Sequence, residues 1–278
     1  MSSNAERWSS EAAFFDKVAE VNATDLVLDP DILQRYRGPM RRTYAKEFLF
    51  HFLGELADRH VLDLACGEGY NSVLLAKRGA CGTGIDVSPK SVELATARAK
   101  ANHVEEQCEF ICSPIEAASF RENCFDVIWI NDLFHHAIPE LDHILPSIRA
   151  WCKPRALVAI NEPVSFSRLL RRMRPLVPVS VDATPDERPL RQEELRKILS
   201  YFPELRLQYR HLLGRLDRIV LPGLNSYESA SALRKRITDV VHWADYVLVA
   251  LPGVHHFAGS VSMYGRISKA AAVANGFP

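Results

Sequence analysis

Two carboxylates and the small-residue turn between them are the positions from which chemistry can be argued first. In VLDLACGEGYNS, Asp63 closes a short apolar run, and Ala65, Gly67 and Gly69 follow at alternate positions. Small residues there let a ligand lie directly against the backbone. Seventeen residues past Gly69, Asp86 closes a second apolar run in GIDVS. A carboxylate at that place can accept both hydroxyls of a ribose. Read alone, the glycines make only a tight turn. Together with Asp86 at this spacing, they predict a nucleoside-containing ligand.

The departures narrow the ligand. A dinucleotide site needs glycine or alanine three residues past the second glycine, and Ser72 stands there. No G-x-x-x-x-G-K-[ST] occurs, which argues against a nucleoside triphosphate. An acid at Asp63 is unsuited to a phosphate and suited to a cationic amino group. These features fit S-adenosylmethionine, which carries both an ammonium and a ribose.

The elements around these residues set their geometry. Phe14, Phe15, Val18 and Val21 recur at helical spacing, and Tyr44, Phe48, Phe52 and Leu53 do so again after Pro39. Residues 1–58 are therefore expected to form a helical lid. From His60 strands and helices alternate. HVLDL, CGTGIDVS, CEFICSP, FDVIWIN and RALVAINEP read as strands. The helices between them start at Asn71, at Pro89 behind an N-cap Ser88, and at Leu141. FDVIWIN is nearly continuous in apolar residues, as expected for a strand covered on both faces. The fold class predicted is α/β, a doubly wound parallel sheet whose following loops share one edge. Residues 59–163 are the expected core. Residues 164–278 are expected to supply a substrate cap and two terminal strands, LRLQYRHLL and SVSMYGRIS, with helices at 164–176, 190–202 and 227–250.

Composition bounds the function classes. The chain has 278 residues, 47% of them hydrophobic, with 34 basic and 34 acidic side chains. A large core is affordable, and nothing demands a nucleic-acid backbone as partner. Six cysteines between Cys66 and Cys152 show no C-x-x-C or zinc spacing and are expected to be reduced and mostly buried. No metal is expected. The start of the chain lacks the apolar stretch of a signal peptide, and no apolar run reaches membrane-spanning length. A cytoplasmic protein without stable membrane insertion is the expectation.

At this point the sequence resembles the class I S-adenosylmethionine-dependent methyltransferases, especially the small-molecule group called type 11. VLDLACGEGY is similar to the family's first motif, GIDVS to the second, and FDVIWINDLFHH to the fourth. The resemblance implies a Rossmann-like sheet of seven strands, the last antiparallel and inserted beside the fifth. It implies S-adenosylmethionine as cofactor and S-adenosylhomocysteine as product. Ala65, Gly67 and Gly69 would approach the methionine moiety, with Asp63 near its amino group. Asp86 would hold the ribose, and Val87 would pack on adenine. Many members place an aspartate after the third strand, where this chain has Pro114. Adenine would then rest on Ser113 and the Ile115 backbone. Asn131 and Asp132 would border the sulfonium end, and Tyr36 with Arg37 would lie over the cofactor as part of the lid.

Methyl transfer to an oxygen also requires a proton acceptor. His135 and His136 follow the fourth strand, and one of them is the candidate base. The alternative, one histidine facing solvent and the other packed under the loop, carries more weight until a base is shown to reach its proton. Glu162 either faces the substrate or caps the next helix. Arg168, Arg171, Arg172 and Arg174 either recognise an anion or membrane surface or form a solvated helix face. No N-P-P-[FY] follows the fourth strand, which disfavours amines of nucleic acids as targets. Trp8, Phe14, Phe15 and Tyr36 suggest a hydrophobic or aromatic small-molecule acceptor, methylated at oxygen. A nitrogen or carbon acceptor, or an accessory protein on the same fold, are the rivals. A homodimer is compatible with the sequence.

Overall fold

The computed structural model describes residues 4–22, 26–37, 43–168, 172, 188–216, 220, 221 and 226–268. Seven strands form one sheet: β1 His60–Leu64, β2 Cys81–Asp86, β3 Cys108–Cys112, β4 Phe125–Asn131, β5 Cys152–Pro163, β6 Arg206–Arg210 and β7 Ser260–Arg266. Their spatial order is β3-β2-β1-β4-β5-β7-β6. Every pairing is parallel except those of β7, which runs antiparallel to both β5 and β6. The α/β sheet matches the class expected from the alternating strands and helices, and its inserted antiparallel last strand matches what the resemblance implies.

The helices among the described residues are α1 Asn4–Asn22, α2 Pro30–Arg37, α3 Ala45–Leu53, α4 Tyr70–Ala76, α5 Pro89–Ala101, α6 Leu141–Trp151, α7 Gln192–Tyr201, α8 Ser226–Ser229 and α9 Ala232–Val249. Alternate strand residues serve opposite layers, as the two-residue period of a strand requires. Ile128 and Ile130 join Ile144, Ile148 and Ile198 in the core beneath α6 and α7. Val127 and Trp129 join Leu49, Phe50 and Leu53 on the opposite face. This double coverage explains the continuous apolar run of β4. Ser88 caps α5 by accepting from the Ser91 N–H at 3.0 Å, with Pro89 as the first helical residue.

Several expectations are corrected. The lid expected over residues 1–58 divides. Leu28 and Ile32 of the α2 region and Leu49, Phe50 and Leu53 of α3 are buried in the core with the sheet, so these helices form one of its covering layers. Helix α1, by contrast, reaches the loops that follow β2 and β3. Strand β5 begins at Cys152 rather than Arg155, because an irregularity between Phe125 and Val127 and a positive φ at Arg155 accommodate Lys153 and Pro154. The helix expected over 227–250 is interrupted, and Ser231 caps the longer part. Cys81 and Cys112 are exposed, because they sit at the open ends of edge-proximal strands; Cys66 and Cys152 are buried. Of the helix expected over 164–176, Val164 instead bridges Leu190 and residues 165–167 are not helical, while most of the remainder lies outside the described residues.

Candidate cofactor and acceptor site

The carboxyl ends of β1, β2, β4 and β5 converge with α1 and α3 above them. Asp63 pairs in register with Gly84 of β2 and Trp129 of β4, so it is enclosed on both sides. It is only 2% exposed, and Ser72 of α4 donates its hydroxyl to it at 2.5 Å. Burial pushes its carboxyl up to about 7; Asp86 adds to this, while Ser72 and Lys46 pull it back. Ser72 is the residue at which the dinucleotide pattern fails, and here its hydroxyl holds Asp63 in place.

Ala65, Gly67 and Gly69 all have positive φ. The two glycines do different work. At Gly67, φ is +52° and a Cβ would meet nothing within 4 Å, so the turn borders open space into which a side chain would project. At Gly69, φ is +73° and a Cβ would lie 2.7 Å from that of Ala95, so this glycine lets α4 pack on α5.

Asp86 is buried and is engaged by both oxygens, accepting from the Gly67 N–H and the Ser88 N–H at 2.9 Å each. Burial again raises its carboxyl above the usual range, against these backbone bonds. Beside it Val87 is half-buried. The Ser113 N–H donates to the Asp86 carbonyl at 2.9 Å, and Ile115 is buried at the start of a single 3-10 turn. Val87 and Ser113 therefore adjoin Asp86, and Ile115 follows Ser113 by two residues; these are the three residues expected around the adenine. Arg7 of α1 reaches the neighbouring Glu116 at 2.5 Å, and Asp16 of α1 accepts from the Ser88 hydroxyl at 2.6 Å and the Lys90 N–H at 3.0 Å. Helix α1 thus crosses the loops behind both β2 and β3.

On the other side, the Asn131 amide donates to Asp132 at 2.7 Å. Asp132 has φ +60° and reaches solvent, yet protein surrounds its carboxyl; burial, then Glu162, raise it above the usual range. Lys46 of α3 feels both Asp132 and Asp63, and burial lowers its ammonium despite them. The sequence reading passed over Lys46, although a single cation near the start of the apolar helix AKEFLFHFL was a usable signal.

Glu162 is fully buried. It accepts from the N–H groups of Leu133 and Phe134 at 2.8 and 2.6 Å, and from His135 Nδ1 at 2.9 Å. The carboxylate therefore fixes the loop after β4 and orients one histidine. It caps that loop rather than the chain that follows β5. His136 stands 4.1 Å from His135, ring to ring, and edge-on to Phe15 of α1 at 5.4 Å. Neither histidine is a freely solvated one. Tyr36 packs edge-on against Phe50 at 4.9 Å, and Arg37 is the last residue of α2. Of the basic segment, Arg168 and Arg172 are exposed, and Arg171 and Arg174 lie outside the described residues. Among the described residues no group of three histidine, cysteine or acidic side chains could hold a metal.

A seven-stranded, doubly wound sheet carrying an acid at the end of β1, a glycine turn and a second acid at the end of β2 defines a Rossmann-like architecture. Residues 61–155 match the model of a methyltransferase domain. A ubiquinone biosynthesis O-methyltransferase of Coxiella burnetii is 32% identical over 119 residues, 42% of this chain and 46% of that protein. The chain thus spans about half the length of such curated relatives. A putative sarcosine dimethylglycine methyltransferase from Galdieria sulphuraria superposes with a TM-score of 0.57 at 16% identity, covering 91% of this chain and 98% of that one. Geranyl diphosphate C-methyltransferase from Streptomyces coelicolor, solved with S-adenosyl-L-homocysteine, gives 0.56 at 13% identity, covering 94% and 98%. Residues 61–155 are thus similar to a methyltransferase domain, and the sheet as a whole shares its fold with methyltransferases of known structure.

Proposed function

We propose that the protein transfers a methyl group from S-adenosylmethionine to an oxygen of a small, hydrophobic acceptor. The observation that carries the cofactor half is a fully buried carboxylate, Asp63, beside a glycine turn whose Gly67 borders open space. An acid held near pH 7 by burial is costly to ionise alone and is relieved by a bound ammonium. Asp63 would hold the amino group of the methionine moiety, Lys46 its carboxylate and Asp86 the ribose hydroxyls. Val87, Ser113 and Ile115 would frame the adenine, with Asn131 and Asp132 toward the sulfur. The cofactor supplies a methyl group activated by the sulfonium charge.

What the protein adds is placement, dehydration and a proton acceptor. In-line placement of two reactants can contribute ~7–11 kcal/mol. Helix α1, held by Asp16 and Arg7, excludes water above the site. With His135 Nδ1 against Glu162, Nε2 is the ring nitrogen that would accept the proton of an acceptor hydroxyl. Glu162 is then a positioning residue, and His136 with Phe15 forms an aromatic wall. The O-methyltransferase name of the curated relative supports an oxygen acceptor.

Calorimetric titration with S-adenosylmethionine and S-adenosylhomocysteine, with NADH as control, tests the cofactor. Micromolar binding of both adenosyl ligands and none of NADH is expected. A folded protein that binds neither would instead support an accessory role on this fold. Turnover seen only with amine acceptors would overturn the oxygen assignment.

A further inference from the structure

Helix α9 has two faces of opposite character. Its inner face buries Thr238, His242, Asp245 and Val249. Asp245 accepts from the N–H groups of His211, Leu213 and Gly214, and His242 stacks on Tyr44 at 4.3 Å. The outer face carries Leu233, Ile237, Val240, Trp243 and Val247, between 42% and 69% exposed. Steps of three and four residues keep these five in one stripe, about 21 Å long at the rise of an α-helix. Leu251, 50% exposed, and Phe257, 42% exposed, follow the end of the helix at Val249. Seven of the ten exposed large hydrophobic residues among those described fall in this one segment, so the patch is concentrated rather than scattered.

The charges on the segment point to its partner. Arg234 and Arg236 are exposed, whereas both acids of α9 are turned inward, Asp239 onto the Tyr44 and Tyr227 hydroxyls and Asp245 onto backbone. At the far end, Phe166 packs on Tyr209, which stacks on His255; two residues past Phe166 stands the exposed Arg168. The outer surface is therefore apolar, with a tryptophan near its middle and cations but no exposed acid along α9. A second copy of the chain would offer those arginines no acid from the same face. An anionic lipid surface satisfies both the arginines and the apolar stripe. No described helix is long and apolar enough to cross a membrane, so the contact lies in the plane of the interface. We propose that the outer face of α9 docks the protein on anionic phospholipid. The proposal stands independently of the methyl-transfer reading, and its test needs neither cofactor nor acceptor.

The test is co-sedimentation of the full chain with vesicles of phosphatidylcholine alone or mixed with phosphatidylglycerol. Binding to the mixed vesicles, weakened by added salt, is expected. Trp243→Asp should reduce partitioning by about tenfold or more, since it removes an interfacial aromatic anchor and adds a like charge to the lipid. Arg234→Glu with Arg236→Glu should abolish the preference for phosphatidylglycerol. Both positions are exposed, so unchanged thermal melting is expected of these variants. In wild type, brominated lipid should quench a tryptophan signal that Trp243→Phe loses while still binding. Failure to bind the mixed vesicles, or equal binding to neutral ones, overturns the proposal. So does a wild-type dimer in sedimentation velocity that Trp243→Asp dissociates, which would make a second copy the occupant.

Discussion

At the scale of single residues, each acid in the site already has a partner before any ligand arrives, and that decides what a substitution does. Asp86 holds the Gly67 and Ser88 amides through its two oxygens. Removing the carboxylate would therefore cost turn geometry as well as the proposed ribose contacts. Asp86→Asn, which keeps one acceptor oxygen, is the cleaner probe. It should weaken binding of S-adenosylhomocysteine by roughly 10- to 100-fold, the range for losing one or two charge-assisted hydrogen bonds. Unchanged affinity in calorimetry would remove Asp86 from the cofactor site. His135 is the other residue whose partner defines it. With Nδ1 committed to Glu162, His135→Gln should lower kcat by about 10²–10⁴, the usual worth of a general base, with cofactor affinity unaltered. Glu162→Gln should lower kcat less, leave KM alone and shift the pH profile of kcat, because the histidine loses its orienting charge. A His135→Gln enzyme of full kcat would return both histidines to a packing role.

At the scale of elements, the strands were legible because burial on both faces leaves a plain mark, as in FDVIWIN and RALVAINEP. The first and second motifs were legible because glycine conformation and carboxylate placement are local. What the sequence did not disclose is contact at long separation. Lys46 meets Asp63 only after α3 is laid on the sheet, and Ser72 looked like a missing glycine until its hydroxyl was seen on Asp63. The role of Gly69 was hidden for the same reason, since its need comes from Ala95 on another helix. Helix α1 is the extreme case. Nothing local in it announces that Asp16 will cap α5 or that Arg7 will meet Glu116. Those contacts predict a gate. Asp16→Ala removes an acceptor from an α5 N–H and a hydroxyl, a loss of about 1 kcal/mol by comparison with N-cap substitutions. Cofactor release measured by stopped flow should accelerate about fivefold, the rate equivalent of that energy. If release is unchanged while the melting temperature drops, α1 is an ordinary packed helix and gates nothing.

At the scale of the whole molecule, three raised carboxyls at one sheet edge, Asp63, Asp86 and Asp132, make ligand-free stability depend on pH. The sign follows from proton counting. Folded Asp63 titrates at about 7 against an ordinary aspartate value of 3.8, so between those limits the folded state holds a proton that the unfolded state has released. Stability must then fall as pH rises through about 4 to 7 and level off above, by at most about 4 kcal/mol for Asp63. Glu204 acts in a separate window: burial would raise it, but Arg149 and Ser268 hold it at about 2, so its contribution is lost only as pH falls below the ordinary carboxylate range. Thermal melts from pH 4.5 to 8 without cofactor should therefore decline, and Asp63→Asn should flatten the slope and exceed wild type at pH 8. The same proton competes with the cofactor's ammonium, so affinity for S-adenosylhomocysteine should climb toward pH 7, by no more than about tenfold per pH unit, and then level. Saturating ligand would restore at pH 8 the stability that ionisation removes, by mass action on the folded state. A wild-type melting curve that is flat over this range, or an Asp63→Asn protein with the same slope as wild type, would show that Asp63 is ionised without help and that the site it shares with the glycine turn is not built for a cation.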